Sequence, residues 1–420
     1  MTHPLQSIPE AFHAGRPAGI TSVCSAHPIV IEAALSLGRE TGKTVLIEAT
    51  CNQVNQDGGY TGMTPAGFRD FVEGIAARVG FDTGRLVLGG DHLGPNPWKH
   101  LPADAAMAKA EAMIAAFAQA GFTKLHLDTS MGCRAEAPAL DDAQTAERAA
   151  RLARVAEDNR GAVAPVYIIG TEVPVPGGAI HALQDGVVPT APEAVRRTYD
   201  VHERAFAALG LDDAWSRVIG LVVQPGVEFG DTEVVHFDPA GAAGLTETLA
   251  DRPGLVFEAH STDYQTAESL RTLVLAGFPI LKVGPWLTFA LREALYGLDA
   301  AVDILDGHTP RGRLMTAMED AMIAAPENWS GYYAGDADAL WIKRHFSLSD
   351  RIRYYWPDPR ARAAVEELFD RLAGRTVPAT VAAQFIPGHD VRRGDTTGHA
   401  LLVGAVQDVL RIYDRATDPA

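Results

Sequence analysis

Eight short Val/Ile/Leu-rich runs alternate with longer Ala-rich stretches of helical period, and the runs end in unusually polar residues. Together these observations predict an α/β fold, a (β/α)8 TIM barrel. Apolar runs of this kind read as parallel strands buried on both faces, and the stretches between them as crossover helices. A doubly wound sheet is the alternative, because strand order is not written in the chain.

The predicted strands are Gly19–Cys24, Thr44–Ala49, Leu86–Gly90, Lys124–Asp128, Ala164–Gly170, Val218–Gln224, Leu255–His260 and Pro279–Gly284. The predicted helices include Pro28–Thr41, Thr64–Val79, Ala103–Ala120, Asp141–Asn159, Pro192–Leu209 and Gln265–Ala276, several opening on Pro or a capping residue. Spacing of roughly 35 residues per unit suits βαβ units with loop insertions. From about Ala300 the alternation stops, giving residues 1–300 as barrel and 301–420 as a helical, aromatic-rich C-terminal extension packed on it. No clean Gly/Pro linker separates the two.

Composition narrows the function. The chain has 420 residues, 47% of them apolar, enough for a large core. A net charge of −17 argues against a nucleic-acid groove, which needs a basic footprint. No apolar run approaches the ~20 residues of a membrane span, and MTHPLQSIPEAF has no leader pattern, so the expectation is a cytoplasmic protein with no membrane partner. Cys24, Cys51 and Cys133 make no disulfide framework and read as small packing residues. Gly38-Arg-Glu-Thr-Gly-Lys-Thr44 imitates a phosphate loop but has one residue too few between its glycines and ends a helix. No GxGxxG is present, so a nicotinamide site has no support.

In a barrel, catalytic groups project from the C-terminal ends of strands. Here those ends bring Asp91, His92, Asp128, Glu172, Gln224, Glu258, His260 and Lys282 to one rim. Imidazoles and carboxylates around one point describe a divalent-metal site. The bland reading of each residue is a buried hydrogen-bonding group. Glu258 shares a face with His260, so it is read either as a ligand or as the group that orients that ring.

Gly89-Gly-Asp-His-Leu-Gly-Pro-Asn-Pro-Trp98, His126-Leu-Asp-Thr-Ser-Met131, Glu258-Ala-His-Ser-Thr-Asp-Tyr264 and Phe346-Ser-Leu-Ser-Asp-Arg-Ile-Arg-Tyr-Tyr-Trp356 carry a resemblance. Over essentially its whole length, the chain resembles the GatZ/KbaZ-type tagatose-bisphosphate aldolase subunit family, relatives of class II metal-dependent aldolases. The resemblance implies one of three functions: a ketose 4-epimerase, a non-catalytic subunit stabilising an aldolase catalytic partner, or, most weakly, a tagatose-6-phosphate kinase.

It also implies roles. Asp91-His92 matches the class II pair in which His binds metal and Asp transfers protons, and His260 matches the ligand ending the seventh strand. A His expected in the sixth-strand turn is replaced by Gln224. The expected ligands are therefore His92, Glu172, Gln224 and His260, a harder N/O set suited to Zn, Mn, Co or Ni. Asp91, Asp128 and Lys282 are the expected catalytic groups, with His126, Ser261, Asp263 and Trp286 as substrate contacts. Where class II aldolases carry a Gly-Gly-Ser turn for phosphate, this chain has Ser261-Thr-Asp263, whose carboxylate repels an anion, so the expected substrate is an unphosphorylated ketohexose of the fructose/tagatose type.

The C4 hydrogen of a 2-ketose is not adjacent to the carbonyl, so simple deprotonation does not invert that carbon. Retro-aldol cleavage of C3–C4 followed by re-addition is the route expected, with Arg351 or Arg353 and aromatic residues of the extension closing the mouth. A homo-oligomer is also expected.

Overall fold

A computed structural model of the protein describes residues 3–170 and 187–418. Eight parallel strands close into a barrel. They are β1 Ile20–Cys24, β2 Val45–Thr50, β3 Leu86–Leu93, β4 Lys124–Leu127, β5 Val166–Ile169, β6 Val218–Val223, β7 Val256–Ala259 and β8 Ile280–Val283, with β8 pairing back onto β1. All eight lie where the apolar runs predict them. A two-residue antiparallel hairpin, Glu228–Phe229 with Val234–Val235, stands outside the barrel between β6 and β7.

One strand departs from its predicted bounds. β3 continues three residues past Gly90, and its register with β4 shifts between Gly90 and Leu93. Within the shift His92 takes φ 49°, a left-handed conformation that costs a non-glycine residue and redirects its side chain.

The barrel interior is stratified. Its lower layers are apolar, with Leu46, Val87, Val166, Ile168, Val222, Val256 and Ile280 packed together. Leu5 and Ile8, from the N-terminal segment, join this cluster and seal the floor. Gly89 has no side chain because Glu48 lies across it, within 2.8 Å of where a Cβ would stand.

The helices Pro28–Thr41, Pro65–Val79, Ala103–Gln119, Asp142–Asn159, Pro192–Ala208 and Ala267–Leu275 follow the predicted pattern. The loop-like string Gly38–Thr44 is the last turn of the first of these, stopped by Gly42 at φ 74°. Helix Pro239–Glu247 has a weak apolar period and was not predicted. The boundary expected at residue 300 falls inside helix Pro285–Leu305.

The C-terminal helix Gly398–Thr417 packs between the helices that follow β1 and β7, the place an eighth ring helix takes. Thr417 accepts from the Gly19 N–H at 2.8 Å just before β1. The helix is further tied by His399 to Glu32, by Gln407 to the Ala33 carbonyl and by Arg411 to Glu40. Tyr413, fully buried, donates to the Thr262 carbonyl at 2.8 Å beyond β7.

Extension and barrel thus share one apolar core. Tyr413→Ala is expected to lower unfolding free energy by about 3–5 kcal/mol, whereas Ile323→Ala, on an exposed side chain, should change it by less than about 0.5 kcal/mol. Urea denaturation of both variants checks this. Near-wild-type stability of the first would mean the extension is dispensable to the barrel.

Candidate active site

Above the apolar layers the barrel interior becomes ionic. Lys124 ion-pairs with Glu48 on β2 and, at 2.6 Å, with Glu258 on β7, all three fully buried. Lys282 on β8 reaches Glu48 at 3.1 Å and Glu258 at 3.6 Å, and also pairs with Asp91. Burying such groups is tolerable only because each has an opposite charge beside it. Burial favours neutral carboxyls, yet His92, Lys282 and His126 together hold Asp91 well below the ordinary carboxylate range.

On this layer stand three imidazoles, His92, His126 and His260, with ring centroids 4.9 to 5.3 Å apart. Each ring has one nitrogen engaged away from the common point. His92 Nδ1 lies 2.8 Å from Asp128 Oδ2, His260 Nε2 lies 3.0 Å from Glu258 Oε1, and His126 Nε2 lies 3.0 Å from the Gly170 carbonyl. Assigning the ring proton to those nitrogens leaves His92 Nε2, His126 Nδ1 and His260 Nδ1 as lone pairs.

These nitrogens fit a cation. His260 Nδ1 is buried with no hydrogen-bond partner, and burial, reinforced by Lys282, pushes the ring down to about 3, keeping it neutral. His126 Nδ1 accepts from the His92 backbone N–H at 3.2 Å, yet Asp91 Oδ1 lies only 3.0 Å away. Those last two atoms sit together through either a second ring proton or a shared cation. One donor atom from each of Asp91, His92, His126 and His260 falls within 4.8 Å of all the others.

Charge agrees with geometry. The two ammonium groups of Lys124 and Lys282 face Glu48, Glu258 and Asp91, and a fourth acidic side chain, Asp128, lies against His92, so acids outnumber lysines by two around the imidazoles. The same surplus acts on His92, which is raised above the ordinary imidazole range because Asp91 and Asp128 outweigh its burial. Imidazole with carboxylate is a Zn, Mn, Co or Ni donor set. The carboxylates behind His92 and His260 are the outer partners that orient such rings.

The expected residues distribute unevenly. Asp91, His92, Asp128, His260, Ser261, Asp263 and Lys282 all border one cavity of about 700 Å3. His126 stands beneath it with the ligand-type groups rather than among the substrate contacts.

Gln224 is a correction. Its Oε1 accepts from the backbone N–H groups of Gly226 and Val227 at 2.7 and 2.9 Å, bracing its own turn, so it leaves the donor set. Trp286 is another. Its ring packs on Tyr264 and Tyr413, and the indole bordering the cavity is that of Trp356. Glu172 lies outside the described residues.

Asp263 accepts from the N–H groups of Gly284 and Trp286 at 3.0 and 2.8 Å. A carboxylate of the chain itself thereby occupies the anion-attracting start of helix Pro285–Leu305. Burial pushes Asp263 up to about 6.

Sequence reasoning missed Glu48 and Lys124, whose only signal is a charge inside an apolar run, and Glu228. The last is buried next to Ser261 and Asp263, and desolvation pushes its carboxyl up to about 7. The extension contributes part of the cavity wall. Arg353, Tyr354 and Trp356, on and beside the 3-10 turn Arg351–Tyr355, border the cavity, while Ile352 anchors the turn in the core.

The model of the D-tagatose-1,6-bisphosphate aldolase subunit GatZ/KbaZ-like family matches residues 5–418. A protein of Agrobacterium fabrum named D-tagatose 6-phosphate 4-epimerase is 52% identical over 99% of both chains. A Salmonella dublin protein named D-tagatose-1,6-bisphosphate aldolase subunit GatZ is 48% identical over 97% of this chain and 98% of its own. A crystal structure from Sinorhizobium meliloti 1021, titled a probable tagatose 6 phosphate kinase, is 56% identical, with a TM-score of 0.87 over 95% of this chain and 100% of that one.

Glu228 gives a pH test. Its folded value near 7 lies above the ordinary 4.5 of the unfolded chain, so its contribution is fully present below about pH 4.5 and is lost as pH rises through 7. Glu228→Gln should remove that decline, raising stability at pH 8 by roughly 3 kcal/mol relative to wild type. Urea unfolding at pH 5 and pH 8 reads the difference. Parallel pH profiles for the two proteins would refute it.

Proposed function

Because the chain belongs to the D-tagatose-1,6-bisphosphate aldolase subunit GatZ/KbaZ-like family, we propose that it is a metal-dependent ketose 4-epimerase of the cytoplasm. Its substrate is a ketohexose carrying phosphate on C6 and none on C1, and it works by opening and remaking the C3–C4 bond. The observation that carries this reading is the convergence of three ring nitrogens, each fixed from behind, beside Asp91 and Lys282.

The expectation of a free sugar rested on Asp263. Its place on the Gly284 and Trp286 N–H groups supports the lack of a phosphate at that helix end alone. The name of the Agrobacterium relative supports a single phosphate at C6.

When bound, a divalent cation supplies Lewis-acid polarisation of the substrate carbonyl. The other parts belong to the chain. Asp91 has Oδ1 held by Lys282 and His126 while Oδ2 has no hydrogen bond among the described residues, so it is the group to take the C4 hydroxyl proton. As that proton leaves, the C3–C4 electron pair moves to the C2 carbonyl. The Lys282 ammonium is placed to stabilise the negative charge that develops.

The three-carbon aldehyde then turns within the cavity, offers its other face to C3, and the bond re-forms. Asp91 returns the proton to O4. Walls contributed by Tyr354 and Trp356 keep the aldehyde from escaping. No oxidant or nicotinamide enters the balance.

The names of the Salmonella relatives favour a second reading, a subunit that supports an aldolase. Metal-loaded protein incubated with fructose 6-phosphate should yield its C4 epimer, followed by NMR, and chelation should stop turnover. Asp91→Asn should lower kcat by roughly 10²- to 10⁴-fold, and Asp128→Asn should weaken metal binding by roughly 10- to 100-fold. Inactivity on both phosphorylated and free ketoses, at a measured full metal complement, would overturn the enzymatic reading. Co-purification with an aldolase would then support the second.

A further inference from the structure

Three cationic side chains border the cavity, and they are not equivalent. Lys282 is neutralised by Glu48, Glu258 and Asp91. Arg353 and Arg362, from the extension, have no carboxylate within ion-pair distance among the described residues. In a chain with 53 acids against 36 bases, an unpaired guanidinium on a cavity wall is conspicuous.

Arg353 is also preorganised. Its Nη1 donates to the backbone carbonyls of Ser349 and Asp350, and its Nη2 to the Tyr354 hydroxyl at 3.0 Å. Those contacts hold the guanidinium from the protein side, and its Nε has no hydrogen-bond partner among the described residues. The Tyr354 ring lies 4.5 Å from the guanidinium carbon and meets the Tyr60 ring edge-on at 5.2 Å, joining the extension to the loop after β2. Arg362 lies on helix Pro359–Leu372, and Glu366, one turn along on the same cavity wall, is not paired with it.

We propose that Arg353 and Arg362 form the subsite for the phosphate monoester of the substrate, with the hydroxyls of Tyr354 and Tyr60 completing the hydrogen bonding. The inference rests on the epimerase reading for what carries the phosphate, not for where the phosphate sits. Both guanidinium groups border the same cavity, and neither has to give up a carboxylate partner to meet an anion. The other anion-attracting feature of the cavity, the start of helix Pro285–Leu305, is filled by Asp263. Sugar orientation follows: phosphate against the extension, carbonyl end at the imidazoles.

The test is calorimetry with inorganic phosphate on metal-stripped protein, beside kinetics on fructose 6-phosphate and free fructose with metal-loaded protein. R353M and R362M should each weaken phosphate binding at least about tenfold. R353K, which keeps charge and loses the fork, should fall between R353M and wild type. R353M should lower the ratio of kcat/KM for phosphorylated over free ketose by a similar factor.

Phosphate that fails to bind wild type, or binds R362M and R353M as tightly, overturns the subsite. If R353M does not fold, as its thermal midpoint will report, R362M on its exposed helix face decides alone. Epimerisation with arginine-independent phosphate binding would sink the subsite and spare the epimerase. Arginine-dependent binding without any epimerisation would do the reverse.

Discussion

Everything at the mouth of this barrel depends on how its buried acidic side chains are paired inside it. Lys124 is the keystone, fully buried and spanning from Glu48 to Glu258 across the barrel interior. An ion pair at that depth seldom adds net stability. Its effect here is positional: with Glu258 fixed by Lys124, His260 has its Nε2 tied down and its Nδ1 turned upward. Lys282 does the same for Asp91, and Asp128 for His92. The imidazoles are therefore oriented and close together without a ligand to hold them, His260 neutral through its burial, and the surplus of negative charge around them favours a cation.

Much of this was legible in the chain. Period-two alternation placed His126 with Asp128, and Glu258 with His260, on the inward face, and the apolar runs placed all eight strands. What escaped follows from specific physics. The bulge in β3 gives Asp91 and His92, neighbours that a regular strand would point to opposite faces, a common direction. No alternation rule reports that. Gln224 looked like a displaced ligand, but a turn with free N–H groups at Gly226 and Val227 had first claim on its oxygen. Glu48 and Lys124 were hidden because a charge in an apolar strand reads as an edge residue unless its partners, far along the chain, are known.

The extension was recognised for its aromatic content, not for its architecture. Its Arg353, Tyr354, Trp356 and Arg362 line the same cavity as the strand-end groups, so the cavity is shared between the barrel and the segment 351–362. That division suits a family whose members carry different activity names on one scaffold. The ionic groups reside in the strands, while the extension's part of the cavity wall is built from residues that can change without disturbing the ionic layer.

The helix that completes the ring follows all eight strands in sequence, and its final residues bond to the backbone just ahead of the first strand. A nascent polypeptide therefore lacks the piece that packs beside β1 until all eight strands have been synthesised. Closure joins segments nearly 400 residues apart, a pairing with a heavy entropic penalty and slow kinetics. Until then the helices that flank this one lack a packing partner, a condition that favours association with other chains.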